Sequence, residues 1–552
     1  KEAGEESIGK ATGIKSEEMF LELRSKQNSK NPLNDINVRK AIFHAIDRER
    51  IVKELLGEYG SVLNSLFRQD SIYYYPSWEE YFYDLSKAQE YLKMAGYGPE
   101  NPLYLTIGSN DESSSRKIIE ELIKEDLDRI GIKVWIFNKP SEEWYNSFVS
   151  KGSYDLGVWA LYTLDGSELE CYFSSQKMPS METVENKNCR NFYWYNNKEV
   201  DSILRELSGE TKKDRRIDLV CELQEKLAGD AIILPLFSRV YCIAYNKRLE
   251  NLDIDLTDGN YLTGAENWKL SGSERLVENE ERSEERTGGY QSKEVVVGYE
   301  EEPYVLNPFV TDDLYTSYIN SLVVAGLWKM DKNGEYLPVL VDNTWDKAIS
   351  EESVKHTLKA SVKLRDDVFW EDGTPVTSED VRYTWLSVLE DESLLNSLGY
   401  RDLVKKIKDI EVIDKKQFNI IFTDYFREWK KLFRFIFPKS KIEGKRIGYL
   451  FRNDIFGCGP YKLKEWVRGE YLLLEKNQYY FGKEPSIDYI RFLFNSDENS
   501  LITLLEDGEI DILNVPPDSE LLSELDENKN IDILVKQGNL WEHLAICLKP
   551  EE

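Results

Sequence analysis

The sequence has little histidine and a deficit of positive charge. Its three His, 44, 356 and 543, lie far apart without HExxH or HxH spacing, which leaves a clustered-His metal site unsupported. Its six Cys (171, 189, 221, 242, 458, 547) contain no CxxC pair, so neither a zinc ribbon nor a thioredoxin-type site is supported. Lys and Arg number 71 against 101 Asp and Glu. The resulting net charge of −30 argues against nucleic acid and anionic membrane surfaces as partners. No stretch approaches the roughly 18 to 20 unbroken apolar residues of a membrane span, and "AIILPLFSRVYCIAY" is interrupted by Pro235, Ser238 and Arg239. A soluble chain is expected. It opens at Lys1 with no initiator Met, apolar signal stretch or lipid-attachment Cys, so an earlier segment removed by processing or truncation is expected. There is no GxSxG elbow, no GxxxxGK[ST] phosphate loop and no GxGxxG fingerprint. "GCGPYK" has two of the glycines but precedes a hairpin.

What is present is length, acid and aromatic surface. At 552 residues the chain is expected to divide into two to four lobes with sizeable cores. Aromatics make up 12%, with 33 Tyr and 13 Trp, which serve either core packing or a cleft that stacks on its ligand. A cleft with two carboxylates would also describe a glycoside hydrolase, but 101 acids make chance pairs inevitable. Cys171 and Cys189 can bridge a loop in an exported protein, or remain free and buried.

Local patterns place the elements. Residues 272–293 alternate Glu and Arg among Gly, Ser and Thr with almost no apolar content and read as a flexible linker; residues 1–20 read as a polar leader. "LYLTIGS", "SSRKIIEELIKEDLDRI" and "GIKVWIF" form strand, amphipathic helix and strand, a βαβ unit stopped at Gly131. Asp35 is placed to cap one helix over "VRKAIFHAIDRERIVKELLG", and Asp84 to cap "LSKAQEYLKMAGY". "YDLGVWALY" reads as a buried strand and "RRIDLVCELQEKLAGD" as an amphipathic helix. Past the linker come the strand "EVVVGYE", a mostly apolar helix over "LYTSYINSLVVAGLWKM", and hairpins turning at Lys415-Lys416 and Arg468-Gly469. A second βαβ unit, "IDYIRFLF", "ENSLITLLEDG" and "EIDILNV", has Gly508 as its helix stop.

"LRDDVFWEDGTPVTSEDV" (364–381) is a strand, a tight turn at Asp372-Gly373, and Thr377 capping a helix with Asp380 three positions on. This stretch resembles the signature of the extracellular solute-binding proteins of oligopeptide, dipeptide and nickel ABC importers. "LNPFVTDDLYTSYINSLVVAGLWKM", "GCGPYKLKEWVRGEYLLLEKNQYYFG" and "LLEDGEIDIL" follow the family's order around it. "NPLNDINVRKAIFHAIDRERIV", "YDLSKAQEYLKMAGY", "GSYDLGVWALY" and "ILPLF…AENWKL" resemble the family's C-terminal half, yet stand first here. The resemblance implies an α/β fold of the type II periplasmic-binding kind, with two main lobes, an extra subdomain and a circularly permuted segment order. Residues 21–160 are expected as the C-terminal lobe, 161–271 as the return to the first lobe, 272–293 as the acidic linker, 294–538 as the first lobe with its inserted subdomain, and 539–552 as the inter-lobe crossing strand. "NLWEHLAICLK" (539–549) and "EEMFLELRSK" (17–26) both resemble that crossing strand. The duplication fits a permutation that arose through a tandem copy, or an excerpt of a longer chain.

The implied function is an extracellular or periplasmic receptor, tethered to a membrane through a segment outside this chain. It would serve the permease subunits of an ABC importer and close over a peptide. No enzyme activity, cofactor, metal or nucleic acid is implied. Oligosaccharide binding, a hydrolase and a non-transport scaffold or sensor stand as alternatives. The segments that line the ligand cleft in the resembling family correspond here to Leu306, Asn307 and Phe309; to Phe456, Gly457, Cys458 and Gly459; and to Trp541, Trp159, Tyr162 and Asp165. For each aromatic, core packing is the competing role. Asp165 stands near the position at which peptide-binding relatives pair an Asp with the ligand ammonium, with Leu164 at the most direct alignment. Arg39 and Asp47 belong to the family pattern and read as helix anchors.

Overall fold

The computed structural model describes residues 17–27, 31–179, 190–271, 292–346, 351–354, 357–398, 401–423 and 427–549, apart from positions 211, 256, 258 and 312. The expected leader to residue 16, most of the linker, Cys189 of the expected bridge and His356 lie outside the described residues. The chain divides into two compact units, 1–240 with 537–552 and 241–536. It passes between them within two strands, Ile233–Asn246 and Ile531–Ile546. Among the described residues no helix is long and apolar enough to cross a membrane.

The first unit is mixed α/β. Strand Leu103–Gly108 pairs in parallel with Ile132–Ile136, the two joined through helix Ser114–Asp128. Leu156–Tyr162 adds in parallel on the other side, and the Ile531–Ile546 strand pairs antiparallel with it, Trp541 opposite Leu161 and His543 opposite Trp159. The single helix expected after Asp35 is two. Asp35 caps Ile36–Ala45, Ile46 turns extended, and Asp47 caps Arg48–Leu56 by accepting the Arg50 N–H at 3.0 Å. The break lets Arg48 point inward, where its guanidinium donates to the carbonyls of Leu63, Pro235, Trp78 and Tyr81 and to Asn64 Oδ1. Arg39 donates to the carbonyls of Asp230 and Leu33, so it anchors its helix through backbone.

Residues 17–27 are a helix, not the strand their likeness to 539–549 suggests. "EEMFLELRSKQ" is rich in strong helix formers. Phe20 is buried against Tyr104 and Trp135, and Arg24 donates to both oxygens of Asp155 at 2.8 and 2.6 Å.

The second unit has an extensive core built around Trp268, Trp328, Trp370, Trp385 and Trp429. Its main sheet runs from the hairpin Tyr461–Val467 and Tyr471–Lys476 through Tyr489–Phe494, Glu294–Tyr299 and Ile512–Val515 to the end of Ile233–Asn246. The two outer strands of the second βαβ unit are therefore not neighbours; Glu294–Tyr299 lies between them, parallel to both. A four-stranded antiparallel sheet stands apart, in the order Glu351–Val354, Thr357–Lys363, Gln417–Phe422, Ile407–Val412. The apolar helix is shorter than its pattern: Leu314–Val323, after which Val324 turns extended and Trp328–Met330 forms a strand. The Asp372-Gly373 turn forms, with Asp372 Oδ1 accepting from Thr374 N–H and hydroxyl. Asp380 accepts the Thr377 N–H at 2.7 Å at the start of helix Ser378–Glu390.

Candidate functional site

The residues singled out from the sequence fall into two groups, one in each unit. In the second unit the segment after strand Glu294–Tyr299 is stapled to the loop before the GCGPY stretch. Leu306 N–H donates to the Phe451 carbonyl at 3.1 Å, and the buried Asn307 amide donates to the carbonyls of Ile447 and Leu450 at 2.7 and 3.0 Å. Asn307 Oδ1 accepts from the Phe309 N–H at 2.9 Å, and Phe309 packs edge-on against Trp385 and Phe435. Leu306, Asn307 and Phe309 thus all point inward. The neighbours that reach solvent are Tyr304, 82% exposed, and Tyr449, 56% exposed.

The Phe456–Gly459 loop is pressed onto the end of helix Leu314–Val323. A Cβ on Gly457 would come 1.9 Å from the Val323 carbonyl oxygen, and one on Gly459 would come 2.4 Å from that of Leu322, so the approach needs glycine at both. Cys458 between them is buried, and burial pushes its thiol up to about 12, so it is an inert packing group. Gly457 and Glu371 exchange two bonds: Glu371 N–H to the Gly457 carbonyl, and Gly457 N–H to Glu371 Oε2, each 3.0 Å.

Glu371, Lys441, Lys445 and residues 450, 451 and 453–456 face a pocket of about 430 Å³. Its other walls come from Leu463, Lys464, Glu465 and Trp466 of the hairpin. Burial pushes the Glu371 carboxyl up to about 7, against the opposing pull of the Gly457 N–H, Lys462 and Lys441. A carboxyl that exchanges its proton near neutrality, in a cavity with aromatic walls, is a group able to sense a ligand's charge. Nothing in the local sequence signals this; the turn that holds Glu371 and the loop that bonds it are 86 residues apart.

In the first unit Trp159, Tyr162 and Trp541 come together on paired strands, Tyr162 opposite Leu540. Trp159 is buried against Tyr154, Tyr193 and His543, and Trp541 donates its indole N–H to Thr163 Oγ1 at 3.0 Å. Burial holds the His543 imidazole well below its usual range, hence neutral, with one ring nitrogen 2.9 Å from the Tyr193 hydroxyl. Tyr162 is half-buried, and its carbonyl accepts from the Tyr172 hydroxyl at 3.1 Å. Asp165 is buried, its Oδ1 accepting from Ser167 N–H and hydroxyl at 3.0 and 2.6 Å. That is the pattern of a side chain closing its own turn.

Beside these lies a cluster the sequence did not announce. Buried Glu542 accepts from Arg116 at 3.1 and 3.2 Å and from Arg239 at 3.0 and 2.5 Å. One carboxylate between two guanidiniums leaves one positive charge in excess, and Arg239 is 44% exposed. The partners stand 426 and 303 positions from Glu542, so no spacing rule could pair them.

A family model described as bacterial extracellular solute-binding proteins, family 5 (middle), matches residues 3–175 and 336–549. Among curated proteins the chain is similar to the oligopeptide-binding protein AppA of Bacillus subtilis (strain 168), 28% identical over 237 residues, 41% of each chain. It is also similar to the dipeptide-binding protein DppE of the same organism, 24% identical over 275 residues, 47% of this chain and 49% of that one. The glutathione-binding protein GsiB of Escherichia coli (strain K12) is 24% identical over the same shares of the two chains. The chain thus spans less than half the length of the curated relatives it matches. Among solved structures, AppA of Bacillus subtilis in complex with a nonapeptide aligns at 24% identity and a TM-score of 0.38, covering 44% of this chain and 47% of that one. NikZ of Campylobacter jejuni in complex with Ni(L-His) aligns at 22% and 0.37, covering 43% and 45%.

Proposed function

The chain belongs to the bacterial extracellular solute-binding proteins of family 5, and from that membership we propose that it is the receptor of an ABC importer, capturing a peptide or similar small solute by lobe closure. The observation that carries the reading is the family match, which extends over well over half of the sequence and lies on both sides of residues 272–293. Receptors of this kind bind and release; no bond in the solute is made or broken. The permease subunits of the importer are the proposed partners, and the tether to the membrane is proposed to lie outside this chain. The inverted order, C-terminal half before N-terminal half, belongs to the same proposal. In support, Glu294–Tyr299, read as the family's first strand, is the strand on which Tyr489–Phe494 and Ile512–Val515 both assemble.

The residues proposed to line the solute's path remain Leu306, Asn307, Phe309, Phe456, Gly457, Cys458, Gly459, Trp541, Trp159, Tyr162 and Asp165 as segments. Their backbones and exposed neighbours make the contacts, since most of these side chains are committed internally. A thermal-shift screen of peptides, oligosaccharides and metal ions tests the function, because a ligand that binds only the native form raises its midpoint. A peptide that raises the midpoint in a saturable way is the expected result. Shifts with oligosaccharides alone would move the solute class, and no shift with any class would reject the receptor.

A further inference from the structure

Residues 427–452 reverse the charge of the chain: nine Lys and Arg against two Glu, in a protein of net charge −30. This stretch supplies Lys441, Lys445, Leu450 and Phe451 to the 430 Å³ pocket. Lys441, Lys445, Arg446 and Arg452 are exposed, and among the described residues none of them has an ion-pair partner. The Lys441 ammonium stands 4.3 Å from the Phe456 ring centroid, and the Arg446 and Arg452 guanidiniums flank Tyr449 at 5.9 and 5.6 Å. Arg468 ties the rim together by donating to the carbonyls of Tyr304 and Arg452 and to Asn453 Oδ1. Lys441 and Lys445 line the pocket, and Arg446 and Arg452 adjoin lining residues in the chain; cations so placed repel one another, and a bound anion removes that cost.

The pocket also holds the opposite charge. Glu371 has one hydrogen-bond donor, the Gly457 N–H, and no ion-pair partner among the described residues. Asp454 stands exposed at the rim. A cavity that presents cations and a cation-seeking carboxyl fits a solute with an ammonium at one end and more than one carboxylate at the other. Its volume is at the small end of ligand cavities, enough for one or two amino-acid residues.

We propose that this pocket takes an acidic amino acid or short acidic peptide, with its ammonium against Glu371 and its carboxylates against Lys441, Lys445 and the neighbouring Arg446 and Arg452. The proposal rests on the receptor reading and names its solute class. The other charges that face Glu371 are Lys462, Lys441 and Asp372, with Lys445, Lys464, Asp454 and Glu465 on the pocket walls. The ammonium draws Glu371 into its charged form, so binding is coupled to loss of a proton.

Isothermal titration of the full chain with Glu-Glu, Ala-Ala, Lys-Lys and N-acetyl-Glu-Glu between about pH 5.5 and 7 tests this, a range in which the peptide amine stays protonated. Glu-Glu is expected to bind at least about tenfold more tightly than Ala-Ala, with Lys-Lys weakest. Its affinity should rise with pH, while that of N-acetyl-Glu-Glu, which has no ammonium to meet the Glu371 carboxylate, should fall. Glu371→Gln should abolish the slope. The triple variant Lys445→Glu, Arg446→Glu, Arg452→Glu changes only exposed groups; it should keep its circular dichroism and lose about a hundredfold in Glu-Glu affinity. Lys-Lys or Ala-Ala binding as well as Glu-Glu, or the triple variant binding Glu-Glu unchanged, overturns the solute class and leaves the receptor standing. Failure of every peptide to bind overturns both.

Discussion

At the scale of single residues, the decisive contacts are made by groups whose partners lie far away in the chain. Gly457 meets the Val323 carbonyl so closely that alanine has nowhere to put its Cβ. Gly457→Ala is expected to cost about 3 kcal/mol in denaturant unfolding, since both sides of the clash are backbone. Glu371 gives a pH-dependent counterpart. Its folded pKa, about 7, lies above its ordinary value of 4.5, so the stability it supports is complete below about pH 4.5 and declines as pH rises toward 7. Glu371→Gln should therefore match the parent at pH 4 and exceed it at pH 8, by on the order of 2–3 kcal/mol; equal midpoints at both pH values would reject the assignment. The sequence singled out stretches for inspection but not which side chains turn inward. Asn307 is committed to carbonyls 140 and 143 positions away, and Asp165 to its own turn, which no local pattern reveals.

At the scale of elements, what was legible was local. The first βαβ unit, the two hairpins and the capped helices after Asp84 and Thr377 follow from periodicity, turn residues and caps, and they stand where the pattern puts them. What was not legible came from distant partners. The Ile46–Asp47 break serves the burial of Arg48, whose acceptors extend to Pro235. The strand inserted between Tyr489–Phe494 and Ile512–Val515 comes from nearly 200 positions upstream. Residues 17–27 follow their helix propensity over their likeness to a strand. Two substitutions test these attachments. Asp47→Ala removes the cap of Arg48–Leu56 and should cost about 1 kcal/mol. Glu542→Gln strips the Ile531–Ile546 strand of its two-arginine anchor and should cost about 3–5 kcal/mol. Because Glu542 and Arg116 are buried, that loss should persist in high salt, measured as a denaturation midpoint at about 0.1 and 1 M; a loss that vanishes with salt would mark the cluster as a surface pair.

At the scale of the whole molecule, charge and topology point to the same kind of activity. The chain's net charge of −30 repels polyanions, and the pocket proposed for an acidic solute carries both signs, Lys441, Lys445 and Lys464 with Glu371, Asp454 and Glu465. The family was readable because its signature, 364–381, packs a turn, a cap and a core tryptophan into one short run. The solute was not, since specificity depends on how side chains from separate segments converge. The most direct test of the central claim is to saturate the full chain with a short acidic peptide, isolate the complex, and weigh the peptide recovered from it. Stoichiometric uptake and return of the peptide at its original mass is the predicted result; cleavage products, or no retention at saturating concentration, would contradict a receptor.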